Sequence, residues 1–212
     1  MTQPLPYPVL QALVGDEEVG ASFSNEAELA AMLRVEAALA EAEAKAELID
    51  KEAARRIAEI CGSFQADWAR LAEGLARDGV IVPDFIKQLR AAVGEPHGKS
   101  VHLGATSQDI IDTALILRLK SVIGILGHRL DTLIHTLDGL KRRDGSVRLM
   151  AHTRMQQALP FTVADKIHTW IQPLERHREA LQSLTPRLLV LQLGGPVGTR
   201  AARHGQDAGA GH

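Results

Sequence analysis

The sequence predicts an all-α protein with a small N-terminal helical domain (residues 1–98), long helices of a partial central bundle (99–193) and a Gly-rich tail (194–212). Three observations carry this expectation. Aromatic residues make up only 3% of the chain while Ala and Leu abound, which favours helices packed through aliphatic ridges over a sheet. Apolar residues recur in steps of three and four along two unusually long stretches. Gly and Pro cut the first hundred residues into short pieces.

Residues 1–22, punctuated by Pro and Gly, read as an irregular leader. Ser24 or Asn25 then opens a helix, with Glu26 and Glu28 near its positive end. Its stripe includes Leu29, Met32, Leu33, Ala37 and Ala40. A second helix is expected over 51–60, ending at Cys61-Gly62, and a third over 64–78, ending at Asp78-Gly79. Pro83 suits the start of a fourth, PDFIKQLRAAV, closed by Gly94. GEPHGKS (94–100) reads as a loop. Beyond it, Ile111, Leu115, Leu119, Val122, Leu126, Leu130, Leu133, Leu137 and Leu140 predict a helix over 107–142, roughly 50 Å long at 1.5 Å per residue. KRRDG supplies the basic residues and the Gly that a C-terminus prefers. A second long pattern follows Pro160 through Ala164, Ile167, Ile171, Leu174, Leu181, Leu184 and Leu188, with Pro173 expected to kink it. Helices this long ask for an elongated bundle completed by other subunits. The tail from Gly194 has no periodicity and reads as unstructured.

Composition narrows the function. The 212 residues are 45% hydrophobic and 24% charged, as in ordinary globular proteins, and the formal charge of −2 offers no basic field for nucleic acid. Cys61 stands alone, so neither an intrachain disulfide nor a cysteine metal cluster forms. The N-terminus lacks the basic region of a signal peptide, and no apolar run reaches the roughly 18 residues of a membrane span. The expectation is a cytoplasmic protein with no membrane partner.

Two stretches stand out chemically. In VHLGATSQDIIDTA (101–114), Thr106 and Asp109 have the spacing of a capping box. A cap alone is the common meaning of such a pair. The functional reading is that Gly104 admits a ligand, and that the free N–H groups of residues 106–109 with the Thr106 and Ser107 hydroxyls cradle a carboxylate at the positive helix end. His102 would add a donor or a proton. The second stretch, MAHTRMQQALPF (150–161), carries His152, Thr153, Arg154, Gln156 and Gln157, all able to grip anions, interleaved with Met150, Met155, Leu159 and Phe161. Polar loops are usually solvated, but the apolar anchors indicate packing against something. His128 and His135 share a helix face and His168 lies on the other long helix. Their spacing suits surface or interface histidines better than zinc. Asp165, Lys166, Glu175 and Arg176 read as helix-face charges. Dinucleotide, P-loop and nucleophile-elbow signatures are missing.

VHLGATSQDIIDTA and MAHTRMQQALP, in this order, resemble the first two signature regions of the fumarase/aspartase superfamily, and SNEAELAAMLRVEAALAEAEA looks like its opening helix. The resemblance covers about residues 5–198. Within the superfamily it is strongest to the 3-carboxy-cis,cis-muconate cycloisomerases of the β-ketoadipate pathway of aromatic degradation, with the adenylosuccinate lyases as the alternative.

The resemblance implies an all-helical homotetramer with a central helical bundle and active sites built from three subunits. It implies a small polycarboxylate substrate, bound by Thr106, Ser107 and Gln108 from the first region and by Thr153 and Gln156 from the second. His102 matches a site histidine of the adenylosuccinate lyases. Many members read Gly-Arg-Thr-His where this chain reads Ala151-His152-Thr153-Arg154, so Arg154 replaces the usual catalytic histidine. Arginine is no acid or base near neutral pH, which counts against fumarate release and fits the lactonising branch, where this position varies. Arg154 and His102 are the catalytic candidates. Neither a metal nor an organic cofactor is required. The third signature, with its catalytic serine, has no counterpart here. The expectation is a truncated, frame-shifted or processed product, tested by sequencing the gene past codon 195. The alternative to an enzyme subunit is a silent helical assembly module.

Overall fold

A computed structural model describes residues 8–198. They form, in order, α1 (Pro8–Val14), α2 (Glu17–Ala21), α3 (Asn25–Lys45), α4 (Lys51–Ser63), α5 (Trp68–Asp78), α6 (Val82–Val93), a 3-10 turn (His97–Ser100), α7 (Ser107–Asp144), β1 (Arg148–Thr153), β2 (Gln156–Thr162) and α8 (Val163–Leu188). The fold is all-α apart from a two-stranded antiparallel ribbon. The chain divides into two compact units. One runs through Leu119 and resumes at Val190, and the other is Lys120–Leu189. The dividing point lies within α7, whereas the change of apolar period in the sequence lies near residue 98.

In the first unit, helix ends follow local chemistry. The Ser24 side chain accepts from Ala27 N at the start of α3, and Asp67 accepts from Arg70 N at the start of α5. Gly79 closes α5 at φ 76°, where a Cβ would be penalised. The core joins Met32 and Leu33 of α3, Ile57 of α4, Leu71 of α5, Phe85 and Leu89 of α6, Val101, and Ile110 and Ala114 of α7. Phe64 and Phe85 meet edge to face. The α5–α6 crossing depends on Gly74, since a Cβ there would lie 2.8 Å from Asp84 Cβ. Asp84, almost buried, accepts from Gln88 Nε2 at 2.8 Å and faces Arg70 at 3.4 Å. The Gln88 bond, helped by the Arg70 charge, holds the Asp84 carboxyl below its ordinary value.

Several boundaries differ from expectation. The irregular leader contains α1 and α2, the latter capped by Asp16. The helix expected over 51–60 reaches Ser63, and that expected from 64 starts at Trp68. The tail is not structureless from its start. Gly194 N and Gly195 N donate to Asp109, and Gln192 exchanges two hydrogen bonds with the Thr113 hydroxyl. The expectation for 199–212 lies outside the described residues.

In the second unit, Ile134 and Leu137 of α7 pack with Ile167 and Ile171 of α8. Thr162 and Asp165 form a complete capping box at the start of α8, which remains helical through Pro173 and Pro186. The presumed loop at 150–161 is the β1–β2 ribbon, with a register shift between Met150 and His152. Arg154 and Met155 form its tight turn, with Met155 at φ 60°.

Candidate active site

Four of the expected site residues lie in the first unit, on the short path from Val101 into α7. Val101 is fully buried and pins the segment, with its carbonyl accepting from the Arg90 guanidinium at 3.0 Å. His102 follows at φ 62°, a backbone conformation that costs a non-Gly residue about 1 kcal/mol or more. Its side chain, 13% exposed, places Nδ1 2.6 Å from Oε1 of Glu36, whose side chain is fully buried.

The corner at 104–109 departs from the expected cap. Asp109, not Thr106, does the capping: its carboxylate accepts from Thr106 N at 3.1 Å, while Asp109 N donates to the Thr106 carbonyl. The same carboxylate accepts from Gly194 N at 2.8 Å and Gly195 N at 3.0 Å. The N–H groups of residues 106 and 109 are therefore spent. The N–H groups of Ser107 and Gln108, and the hydroxyls of Thr106 and Ser107, have no hydrogen-bond partner among the described residues. They sit at the N-terminal end of a 38-residue helix, where an anion is favoured. Gln108 is exposed, and its amide donates to Asp112 within the helix. Gly195 faces the Gly104 carbonyl, 3.4 Å from where its Cβ would stand, so the GG turn closes one side of the corner.

The other three expected residues lie in the second unit. Thr153 ends β1, Arg154 is in the turn and Gln156 begins β2. All are exposed, as is His152, and none of these side chains forms a hydrogen bond among the described residues. His128, His135 and His168 are also exposed.

Glu36 was missed by sequence reasoning. Only its place on the core stripe of α3, four residues from both Met32 and Ala40, could have singled it out. Burial, with the Glu36 charge as a lesser cause, pushes the Cys61 thiol up to about 12, so Cys61 is no nucleophile here.

Comparison with known proteins agrees with the two signature regions. A family model described as Lyase matches residues 16–207. 3-Carboxy-cis,cis-muconate cycloisomerase of Pseudomonas aeruginosa is 38% identical over 86% of this chain and 40% of its own length. Adenylosuccinate lyase of Pyrococcus abyssi is also 38% identical, over 89% of this chain and 42% of its own. The crystal structure of β-carboxy-cis,cis-muconate cycloisomerase from Acinetobacter calcoaceticus superposes with a TM-score of 0.87 at 33% identity, covering 94% of this chain and 47% of that one. The chain thus spans about two fifths of the length of the curated relatives it matches. On these grounds it belongs to the lyase family of the fumarase/aspartase superfamily.

Proposed function

We propose that this chain supplies the first two substrate-binding regions of a 3-carboxy-cis,cis-muconate cycloisomerase. In that reaction one carboxylate oxygen of a tricarboxylate bonds to a carbon of a double bond in the same molecule. The π electrons move to the carbon beside another carboxylate, giving an aci-carboxylate dianion, and a proton drawn from solvent reaches that carbon. The dianion requires fixed N–H groups and cations aimed at carboxylate oxygens. Ser107 N–H, Gln108 N–H and the Thr106 and Ser107 hydroxyls serve one carboxylate, with Gln108 in support. Arg154, Thr153 and Gln156 serve another, and His102 moves the proton. No metal or organic cofactor has a part in this scheme.

The observation that carries the reading is Arg154 at the tip of an exposed turn with its guanidinium unspent, a permanent cation but no proton donor at neutral pH. The adenylosuccinate lyase reading draws on the equal identity to the Pyrococcus enzyme and on His102. In both, the chain works in the cytoplasm within a homotetramer, where the exposed Met155 and Leu159 find cover. We place the N-terminal domain at 1–98, the partial bundle at 99–193 and the tail at 194–212.

A spectrophotometric assay with 3-carboxy-cis,cis-muconate, run beside one with adenylosuccinate, tests the assignment. Loss of the muconate absorbance without fumarate release supports the cycloisomerase, and fumarate release from adenylosuccinate sinks it. A folded oligomer, seen by size exclusion with light scattering, that turns over neither substrate is the silent assembly module.

A further inference from the structure

The Glu36 carboxylate is in an unusual position. Its side chain has no solvent exposure, Oε1 is 2.6 Å from His102 Nδ1, and Oε2 has no hydrogen-bond partner among the described residues. A buried carboxylate normally collects two or more donors to offset its desolvation. The core of this unit is built of apolar side chains, among them the fully buried Met32, Ile57, Val101 and Ile110. Glu36 and His102 are 66 residues apart in sequence, so the contact is fixed by the packing of α3 and not by a local turn. His102 makes this contact from a left-handed backbone conformation, φ 62°.

From this geometry we propose that Glu36 is a positioning residue: it holds His102 in the Nδ1–H tautomer and so presents Nε2 as the proton-accepting atom at the mouth of the 101–109 corner. A neutral imidazole carries one proton on either nitrogen, and the nitrogen facing a carboxylate takes it. Nδ1–H donates to Oε1, leaving the lone pair on Nε2. Nε2 has no partner among the described residues. When Nε2 takes a proton from solvent, the imidazolium is held beside the Glu36 carboxylate, and the same atom passes that proton to the substrate carbon. Loading breaks an O–H bond of solvent and makes Nε2–H; delivery breaks Nε2–H and makes the C–H bond at the carbon beside the carboxylate. The same contact locks the ring's rotation, so Nε2 has one direction.

The proposal rests on the reading of His102 as a proton-moving residue of the site, and the test separates the two. Nitrogen-15 NMR of the imidazoles in the 212-residue chain, with His102→Gln for assignment, reads the tautomer directly. In the wild type, above the imidazole titration, Nδ1–H is expected to exceed Nε2–H by about tenfold or more, the reverse of the preference of free histidine. Glu36→Leu fits the apolar surroundings and removes the acceptor, and is expected to restore a majority of Nε2–H. Should Glu36→Leu fail to fold, Glu36→Gln keeps the size and removes the charge, and is expected to cut the ratio at least threefold. A majority of Nε2–H in the wild type, or a ratio unmoved by either folded variant, overturns the proposal. Turnover insensitive to His102→Gln, with the tautomer ratios as expected, upholds the Glu36–His102 pairing and refutes the parent reading of His102 instead.

Discussion

The 101–109 corner and the β1–β2 turn carry the two halves of the proposed carboxylate grip, and they are built in opposite ways. In the corner, most polar groups are already engaged. Asp109 holds three backbone N–H groups and Glu36 holds His102, while the Ser107 and Gln108 N–H groups and the Thr106 and Ser107 hydroxyls find no partner among the described residues. In the turn, Thr153, Arg154 and Gln156 are all exposed, and their side chains form no hydrogen bond among the described residues. The corner is therefore preorganised by its own unit, whereas the turn shows its side chains without fixing them. The difference teaches that a polar residue in the corner mostly serves the fold, and that one in the turn can be changed with little effect on it.

That contrast can be broken by substitution. The largest effects are expected on activity. In an enzyme containing the whole superfamily core, Arg154→Ala and Ser107→Ala should each lower kcat/KM by about 10²-fold or more, as lost oxyanion donors do. Because Arg154 is exposed, its thermal midpoint should stay within about 1 °C of wild type. Activity within threefold of wild type would remove these residues from the site. Next in size, Asp109→Ala should destabilise the chain by about 2–4 kcal/mol in urea unfolding, since it strands three partly buried N–H groups. A loss under 1 kcal/mol would mean that water replaces the carboxylate. Gly74→Ala should cost about 1–3 kcal/mol, because the new Cβ meets Asp84 Cβ.

A pH series sharpens the comparison within the first unit. The folded-state pKa of Asp84 lies below its unfolded value, chiefly through the Gln88 bond. Its contribution to stability is thus complete above the unfolded pKa of about 3.9 and is lost as pH falls through the lower folded value. The urea midpoints of wild type and Asp84→Asn should converge between about pH 5 and pH 2, and a constant gap would rule Asp84 out as a source of acid lability. The smallest effect separates two threonines at equivalent spacing. Thr162→Ala breaks a complete capping box and should cost about 1 kcal/mol. Thr106→Ala should cost a few tenths at most, as its hydroxyl plays no part in the cap. Equal losses would restore the ordinary cap reading at Thr106.

Much of the fold was legible because it rests on local signals. The period of α7, Ser24 as a cap, Gly79 and Gly94 as helix stops and Pro83 as a start all act within a few residues. The ribbon was not legible. Its turn is Arg154-Met155, with no Gly or Asn to mark it, and Pro160 sits inside β2. Since nearly every position is exposed, no alternation of polar and apolar residues records a buried face. At the candidate site, residue types at 102–109 singled out the corner but misassigned the cap, because two partners of Asp109 lie 85 and 86 residues away. Glu36 is one of five glutamates in α3, and only its tertiary contact sets it apart.

The bond between Asp109 and the Gly194-Gly195 turn also bears on the order in which the chain folds. Closing a loop of that length costs about 4 kcal/mol of chain entropy on a (3/2)RT ln n scaling. The α3–α6 core needs no such closure, since its elements are successive neighbours. The core therefore assembles first, and the clasp at the head of α7 closes only after the intervening 84 residues have been synthesised and drawn in. Hydrogen exchange during refolding should accordingly protect Met32, Ile57 and Leu89 amides before those of Gly194 and Gly195. The corner proposed to bind the carboxylate thus becomes complete late, when a segment from far along the chain has docked beside it.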